Sequence, residues 1–232
     1  MQDNFDLSII VFLALAVFVG WRLYSVLGTR TGQEKREPGA RPKAALKLVQ
    51  ASPVDDADQP AQPKATDEPD PLRWKGIAEA GTPLASDLDA LLDAEPSFDA
   101  RHFVTGARAA YEAIVVAFAA GDRNTLRDLL SRDVFESFVA AIADREKRGD
   151  TVETTFVGIE KADLKQVHLR GKSAQITVQF LSKLITATRD AAGVVTDGAV
   201  DKVVDVTDVW TFARELGNRD PVWKLIATEA GH

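Results

Sequence analysis

In Ile176-Thr-Val-Gln-Phe-Leu181 the residues Ile176, Val178 and Phe180 alternate with Thr177, Gln179 and Leu181. Downstream, Val204, Val206, Asp208, Trp210 and Phe212 repeat the same step of two. That period belongs to a strand with one buried face. Working outward, Glu153 to Leu169 reads as a strand with a break near Lys161–Asp163. The strand through Ile176 extends to Thr188, and Val222 to Thr228 reads as the last one. Arg189-Asp-Ala-Ala-Gly193, Asp197-Gly198 and Asn218 to Pro221 supply turn residues between them.

Upstream of residue 150 the period is 3.6 instead. Ser86-Asp-Leu-Asp offers a cap residue with an acid three positions on, and Leu84, Leu88, Leu91 and Leu92 share one face. Asp87, Asp89, Asp93 and Glu95 cover the other face, and Pro96 stops the helix. Asp99 caps a longer helix reaching Ala120, with Phe103, Ala107, Tyr111, Ile114 and Phe118 as its apolar stripe and Gly121 as its stop. Asp122 caps a short helix to Leu130. Asp133 with Glu136 reads as a capping box for a fourth, which carries Phe135, Phe138 and Ile142 and ends at Gly149. Helices first and strands second predict an α+β fold, with helices packed on one face of a curved antiparallel sheet. Strands this long must twist, and a curved sheet closed by helices encloses a concave apolar pocket.

Tyr111, Phe156, Phe180, Asp208, Trp210 and Trp223 are the candidate pocket residues. Asp208 shares a strand face with Val206, Trp210 and Phe212. If that face lines the pocket, burial raises its pKa as a general base requires. If not, Asp208 faces solvent or pairs with a neighbouring Lys or Arg, and the aromatic residues are core. His102, His168 and His232 are scattered. The sequence holds no glycine-rich phosphate loop, no G-x-S-x-G and no H-E-x-x-H, so no cofactor, metal site or catalytic residue is expected. Cysteine is absent, which excludes disulfides and thiolate chemistry. Residues 72–232 carry 20 Lys and Arg against 25 Asp and Glu, a balance that argues against nucleic acid as a partner.

Ahead of the foldable region stands Leu7-Ser-Ile-Ile-Val-Phe-Leu-Ala-Leu-Ala-Val-Phe-Val-Gly-Trp-Arg-Leu-Tyr-Ser-Val-Leu27. As a helix it would be about 31 Å long, enough for the hydrocarbon core of a bilayer. Leu7, Ile9, Ile10, Phe12, Leu13, Leu15, Phe18, Trp21, Leu23 and Leu27 would face lipid as a transmembrane anchor over residues 1–28. A cleaved signal peptide and a buried core helix are the alternatives. Against the first, the leading residues hold Asp3 and Asp6 with no Lys or Arg, and no Ala-x-Ala follows. Arg30, Lys35, Arg36, Arg41, Lys43 and Lys47 follow the stretch, so the positive-inside rule predicts an inner-membrane, single-pass protein with its N-terminus out and its domain in the cytoplasm. Residues 29–71 hold seven of the ten prolines, with basic residues first and acidic ones after. This composition predicts a disordered tether with a reach of roughly 35–40 Å. The foldable domain then spans 72–232.

Several runs carry a family resemblance. They are Phe98-Asp-Ala-Arg-His-Phe-Val-Thr-Gly-Ala-Arg-Ala-Ala-Tyr-Glu-Ala-Ile-Val-Val-Ala-Phe-Ala-Ala-Gly-Asp122, Thr125-Leu-Arg-Asp-Leu-Leu-Ser131 and Glu153-Thr-Thr-Phe-Val. Ile185-Thr-Ala-Thr-Arg-Asp190, Val206-Thr-Asp-Val-Trp-Thr-Phe-Ala-Arg214 and Asp220-Pro-Val-Trp-Lys-Leu225 follow in order. Together they resemble the C-terminal domain of the forty-four-kilodalton scaffold of the mitochondrial inner-membrane import motor, and especially its alphaproteobacterial relatives with an N-terminal anchor. The resemblance covers residues ~80–232. It implies the cone-shaped fold of nuclear transport factor two, a non-enzymatic scaffold, protein partners in translocation or membrane-protein assembly, and contact with membrane lipid. Leu72, Arg73, Trp74, Lys75 and Ile77 occupy the region to which that family's lipid contact is attributed. A pocket enzyme of the isomerase or dehydratase type, or a carrier of lipid or another hydrophobic ligand, is the alternative on the same fold.

Overall fold

The first helix begins where proline permits it and a hydroxyl caps it. Thr82 Oγ1 accepts a hydrogen bond from the Ala85 amide at 3.3 Å, and Pro83 takes the first helical position. A computed structural model describes residues 72–218 and 222–231, and the expected anchor and tether lie outside the described residues. Helix α1 spans Pro83–Ala94 and buries Ala85, Leu88 and Leu91. The start expected at Ser86 is corrected: Ser86 lies inside the helix, because Thr82 already satisfies an orphan amide one turn earlier.

Helix α2, Ala100–Ala120, starts at Asp99, whose carboxylate accepts from the amides of Arg101 and His102 at 2.8 and 3.0 Å. It stops at Gly121, where a φ of 73° lets the amide reach back to the carbonyls of Ala117 and Phe118. By length and composition α2 would suffice to cross a membrane. Here it packs on the sheet through Phe103, Ala107, Tyr111 and Ile114, all buried. Asp122 caps α3, Arg123–Leu129, by accepting from Asn124 and Thr125. Helix α4 spans Arg132–Arg148. The expected Asp133–Glu136 capping box does not form. Ser131 is the cap position, its amide donates to the Leu225 carbonyl, and Glu136 pairs with Arg132 instead.

The sheet is an antiparallel meander in the order β1-β2-β3-β4, with β1 at Thr151–Arg170, β2 at Ser173–Arg189, β3 at Val195–Glu215 and β4 at Lys224–Ala230. The break expected near Lys161–Asp163 is a register shift between Ile159 and Lys161 within a continuous β1, one of three along that strand. Such bulges bend a strand and strengthen its twist. Asp197-Gly198, expected as a turn, lies within β3. Gly198 has a φ of 72°, and a Cβ there would run into the Thr186 carbonyl oxygen. The turn itself is closed by Gly193, whose amide donates to the Asp190 carbonyl. The concave side of the sheet presents Val167, Ile176, Val178, Phe180, Leu184, Trp210 and Phe212 to the helices, and these residues form one core with Leu88, Leu91, Tyr111 and Ile142. Helices on one face of a curved antiparallel sheet are thus what the change of period implied.

Candidate functional site

Alternation along β2 and β3 brings Ser182 and Asp208 to the concave face, and α2 lowers Tyr111 onto them. Tyr111 is fully buried and ring-stacked on Phe180 at 4.5 Å, with Trp210 at 4.5 Å and Phe156 at 6.1 Å. Its hydroxyl donates to Asp208 Oδ2 at 2.7 Å and lies 2.9 Å from Ser182 Oγ. Five of the six candidate pocket residues therefore meet in one place. Asp208 is half-buried, with no basic partner among the described residues. Burial pushes its carboxyl up to about 6, against the smaller opposing effect of the Tyr111 hydrogen bond. Burial, and then the Asp208 charge, push the Tyr111 phenol upward. Thr228 sits across from Trp210 on β4, so it shares the face that carries Asp208. It is buried, and its hydroxyl has no partner among the described residues. The arrangement can hold a proton near neutral pH on a carboxyl beside a phenol.

Trp223 is the candidate that stands apart. Its ring lies 4.8 Å from Phe103 and 6.2 Å from Phe98, under the Arg214 guanidinium at 5.2 Å. Together with Phe212 and His102 these residues line a groove of about 310 Å³ beside the start of α2. Arg214 pairs with Glu95 at 3.3 Å, while its buried Nε has no partner among the described residues. Sequence reasoning passed over Arg214. The signal was present, since Arg214 continues the step of two from Trp210 and Phe212. His102 is at the groove, His168 is exposed on β1, and His232 lies outside the described residues.

The five residues singled out for lipid contact form a turn-rich segment ahead of α1. Trp74 and Ile77 pack against the core, and the Trp74 indole donates to Asp89 at 2.9 Å. Arg73 shares the same Asp89 oxygen at 3.0 Å. The Lys75 carbonyl accepts from Arg101 at 3.2 Å, and Leu72 is exposed. Among the described residues no group of three or more acidic or histidine side chains is placed to hold a metal ion.

Comparison with known proteins adds lineage to this geometry. Residues 84–230 match the family model described as the Tim44-like domain. The mitochondrial import inner membrane translocase subunit TIM44-1 of Arabidopsis thaliana is 24% identical over 150 residues, which cover 62% of this chain and 32% of that protein. The TIM44 subunit of Mus musculus is 22% identical over 152 residues, 64% of this chain and 34% of that protein. This chain thus spans about a third of the length of the curated relatives it matches. Among solved structures, it is similar to the intermembrane space region of the chloroplast protein ARC6, with a TM-score of 0.39 and 14% identity, over 58% of this chain and 98% of that one. A nuclear transport factor 2-like protein from Salmonella enterica gives a TM-score of 0.36 and 5% identity, over 57% of this chain and 92% of that one. The family match extends from α1 to the end of β4, and on that ground the chain belongs to the Tim44-like domain family.

Proposed function

We propose that this protein is a membrane-anchored scaffold or adaptor whose folded domain gathers protein partners or lipid at the inner membrane, in protein translocation or membrane-protein assembly. The observation that carries it is the match to the Tim44-like domain across nearly all of the described fold. The relatives that share this domain are named as subunits of an inner-membrane import translocase. In this reading Leu7–Leu27 span the bilayer, and residues 29–71 hold the domain tens of ångströms from it. The basic block after the span sets the domain on the cytoplasmic side and draws the tether toward anionic lipid, at about 1 kcal/mol per cation near the surface. Crosslinking in native membranes is expected to join the domain to a defined protein. A chain that remains uncrosslinked and monomeric would count against the scaffold. Protease added outside spheroplasts should leave the domain intact, and digestion from that side would reverse the topology.

One observation favours a second reading, a pocket enzyme or hydrophobic-ligand carrier. Asp208, held by Tyr111 on the concave face with a carboxyl near neutrality, has the character of a general base. Under that reading Asp208→Ala abolishes turnover of a small hydrophobic substrate, whereas under the scaffold reading it leaves partner crosslinking intact.

A further inference from the structure

The sheet has an edge that no described residue covers. β4 pairs with β3 only from Asp208 to Ala213, whereas β3 begins at Val195. Thr207 is the last β3 residue engaged on that side, its carbonyl accepting the Gly231 amide at 2.8 Å. Backbone groups of alternate residues point to the same side of a strand. The N–H and C=O of Val203 and Asp205 therefore point the way the Thr207 carbonyl does, and no described residue pairs with them there. Val204 and Val206 turn their backbone groups toward β2, opposite Leu184 and Ser182.

An open edge is a template for another strand unless it is blunted. The outer edge of β1 is blunted by its three register shifts. The β3 edge from Val203 to Thr207 keeps an unbroken register with β2, and the register shift between Ile185 and Ala187 falls just ahead of it. Its side chains suit an apolar visitor: Val203 is 46% exposed, and Val204 and Val206 are half-buried on the concave face. The stretch just ahead of it carries Asp197 and Asp201 against one cation, Lys202. Asp197 and Asp201 are without an ion pair among the described residues, while Asp205 is neutralised by Lys183 at 2.9 Å.

We propose that the β3 edge from Val203 to Thr207 receives an extended segment of a partner protein by strand addition, the segment carrying alternating apolar side chains and a basic flank at the end that meets Asp201. This rests on the scaffold reading above and names how the partner is held. Backbone hydrogen bonds hold the segment, alternate side chains meet Val204 and Val206, and the cations at the end nearer Val203 face Asp197 and Asp201.

The test uses the full-length protein in nanodiscs. It is titrated with a short peptide of alternating valine and threonine bearing a lysine pair at each end, and with the same peptide N-methylated on alternate residues. Strand addition slows amide exchange at Val203 and Asp205, and N-methylation weakens binding about tenfold, because two backbone hydrogen bonds are lost. Val203→Pro in the protein has the same effect, since the proline removes an N–H that no described residue uses. Equal affinity for both peptides, no binding, or slowed exchange at other amides overturns the proposal. Val203 and Asp205 amides already protected in dilute free protein would assign the edge to the chain's own N-terminal region. Protection that grows with protein concentration would assign it to a second copy. Either result also overturns the partner. A photo-reactive residue at position 203, compared with one at exposed position 116 on α2, separates this inference from the scaffold itself. Protein adducts at 116 but not at 203 keep the scaffold and remove strand addition, and adducts at neither remove both.

Discussion

Asp208 shows how one residue takes its character from three elements at once. β3 places it on the concave face, β2 supplies Phe180 directly opposite, and α2 supplies the Tyr111 hydroxyl. A carboxyl whose folded pKa lies above its unfolded value binds a proton more readily in the folded state. Its stabilising contribution is complete below about pH 4 and is lost as pH rises through about 6. Glu95, Asp99, Asp122 and Glu146 act in the opposite sense, since hydrogen bonds hold their carboxyls below the usual range. The difference between wild type and Asp208→Asn isolates the single group. The substitution is expected to stabilise the domain by about 3 kcal/mol at pH 7.5 and by only about 1 kcal/mol at pH 4.5. Denaturant melts at the two pH values measure this, and an equal effect at both would show that Asp208 is ionised throughout. At this scale the sequence revealed which residue was unusual, because a carboxylate interrupted an apolar alternation. It did not reveal the Tyr111 contact, which spans 97 positions of chain.

Among the elements, helix starts were the least legible feature. Two Ser or Asp residues with acids three positions on, Ser86 and Asp133, matched a capping pattern yet lie inside helices. In each case a residue one turn or less upstream takes the role, Thr82 with its hydroxyl and Ser131 through its backbone link to β4. Thr82→Ala is expected to cost about 1 kcal/mol, the usual worth of a cap, while Ser86→Ala is neutral or slightly stabilising because alanine is the better interior helix residue. Thermal denaturation of the two variants decides between the two start sites. Helix stops were easier to read. Gly121 and Gly149 adopt the left-handed conformation that glycine accepts without a Cβ penalty. The strands were legible as strands, but not where they bulge. The register shifts in β1 and the irregularity at Gly198 arise from fitting long strands of unequal path around one concave core.

For the whole molecule, the proposed anchor implies that the folded domain and the N-terminal stretch answer to different solvents. The domain buries its apolar faces against itself, so even α2, apolar enough for a bilayer, is satisfied by the sheet. Residues 9–21 carry no charged side chain and, Gly20 and Trp21 apart, only aliphatic and phenyl ones. A chain lacking residues 1–28 is expected in the soluble fraction after cell lysis, while the full chain sediments with membranes and resists alkaline extraction. Full-length protein that carbonate releases would end the anchor. Sequence by itself determined the change from helical to strand period near residue 150, the buried stripe of α2, the family resemblance and the candidate anchor, because local periodicity and composition record which side of each element avoids water. Tertiary structure alone decided that Tyr111, Ser182 and Asp208 share a network, that Trp223 belongs with Arg214 at a separate groove, and that β3 outruns β4. Those outcomes depend on how far each strand slides past its neighbour and where α2 crosses them, and register is a property of pairs of segments that no single segment encodes.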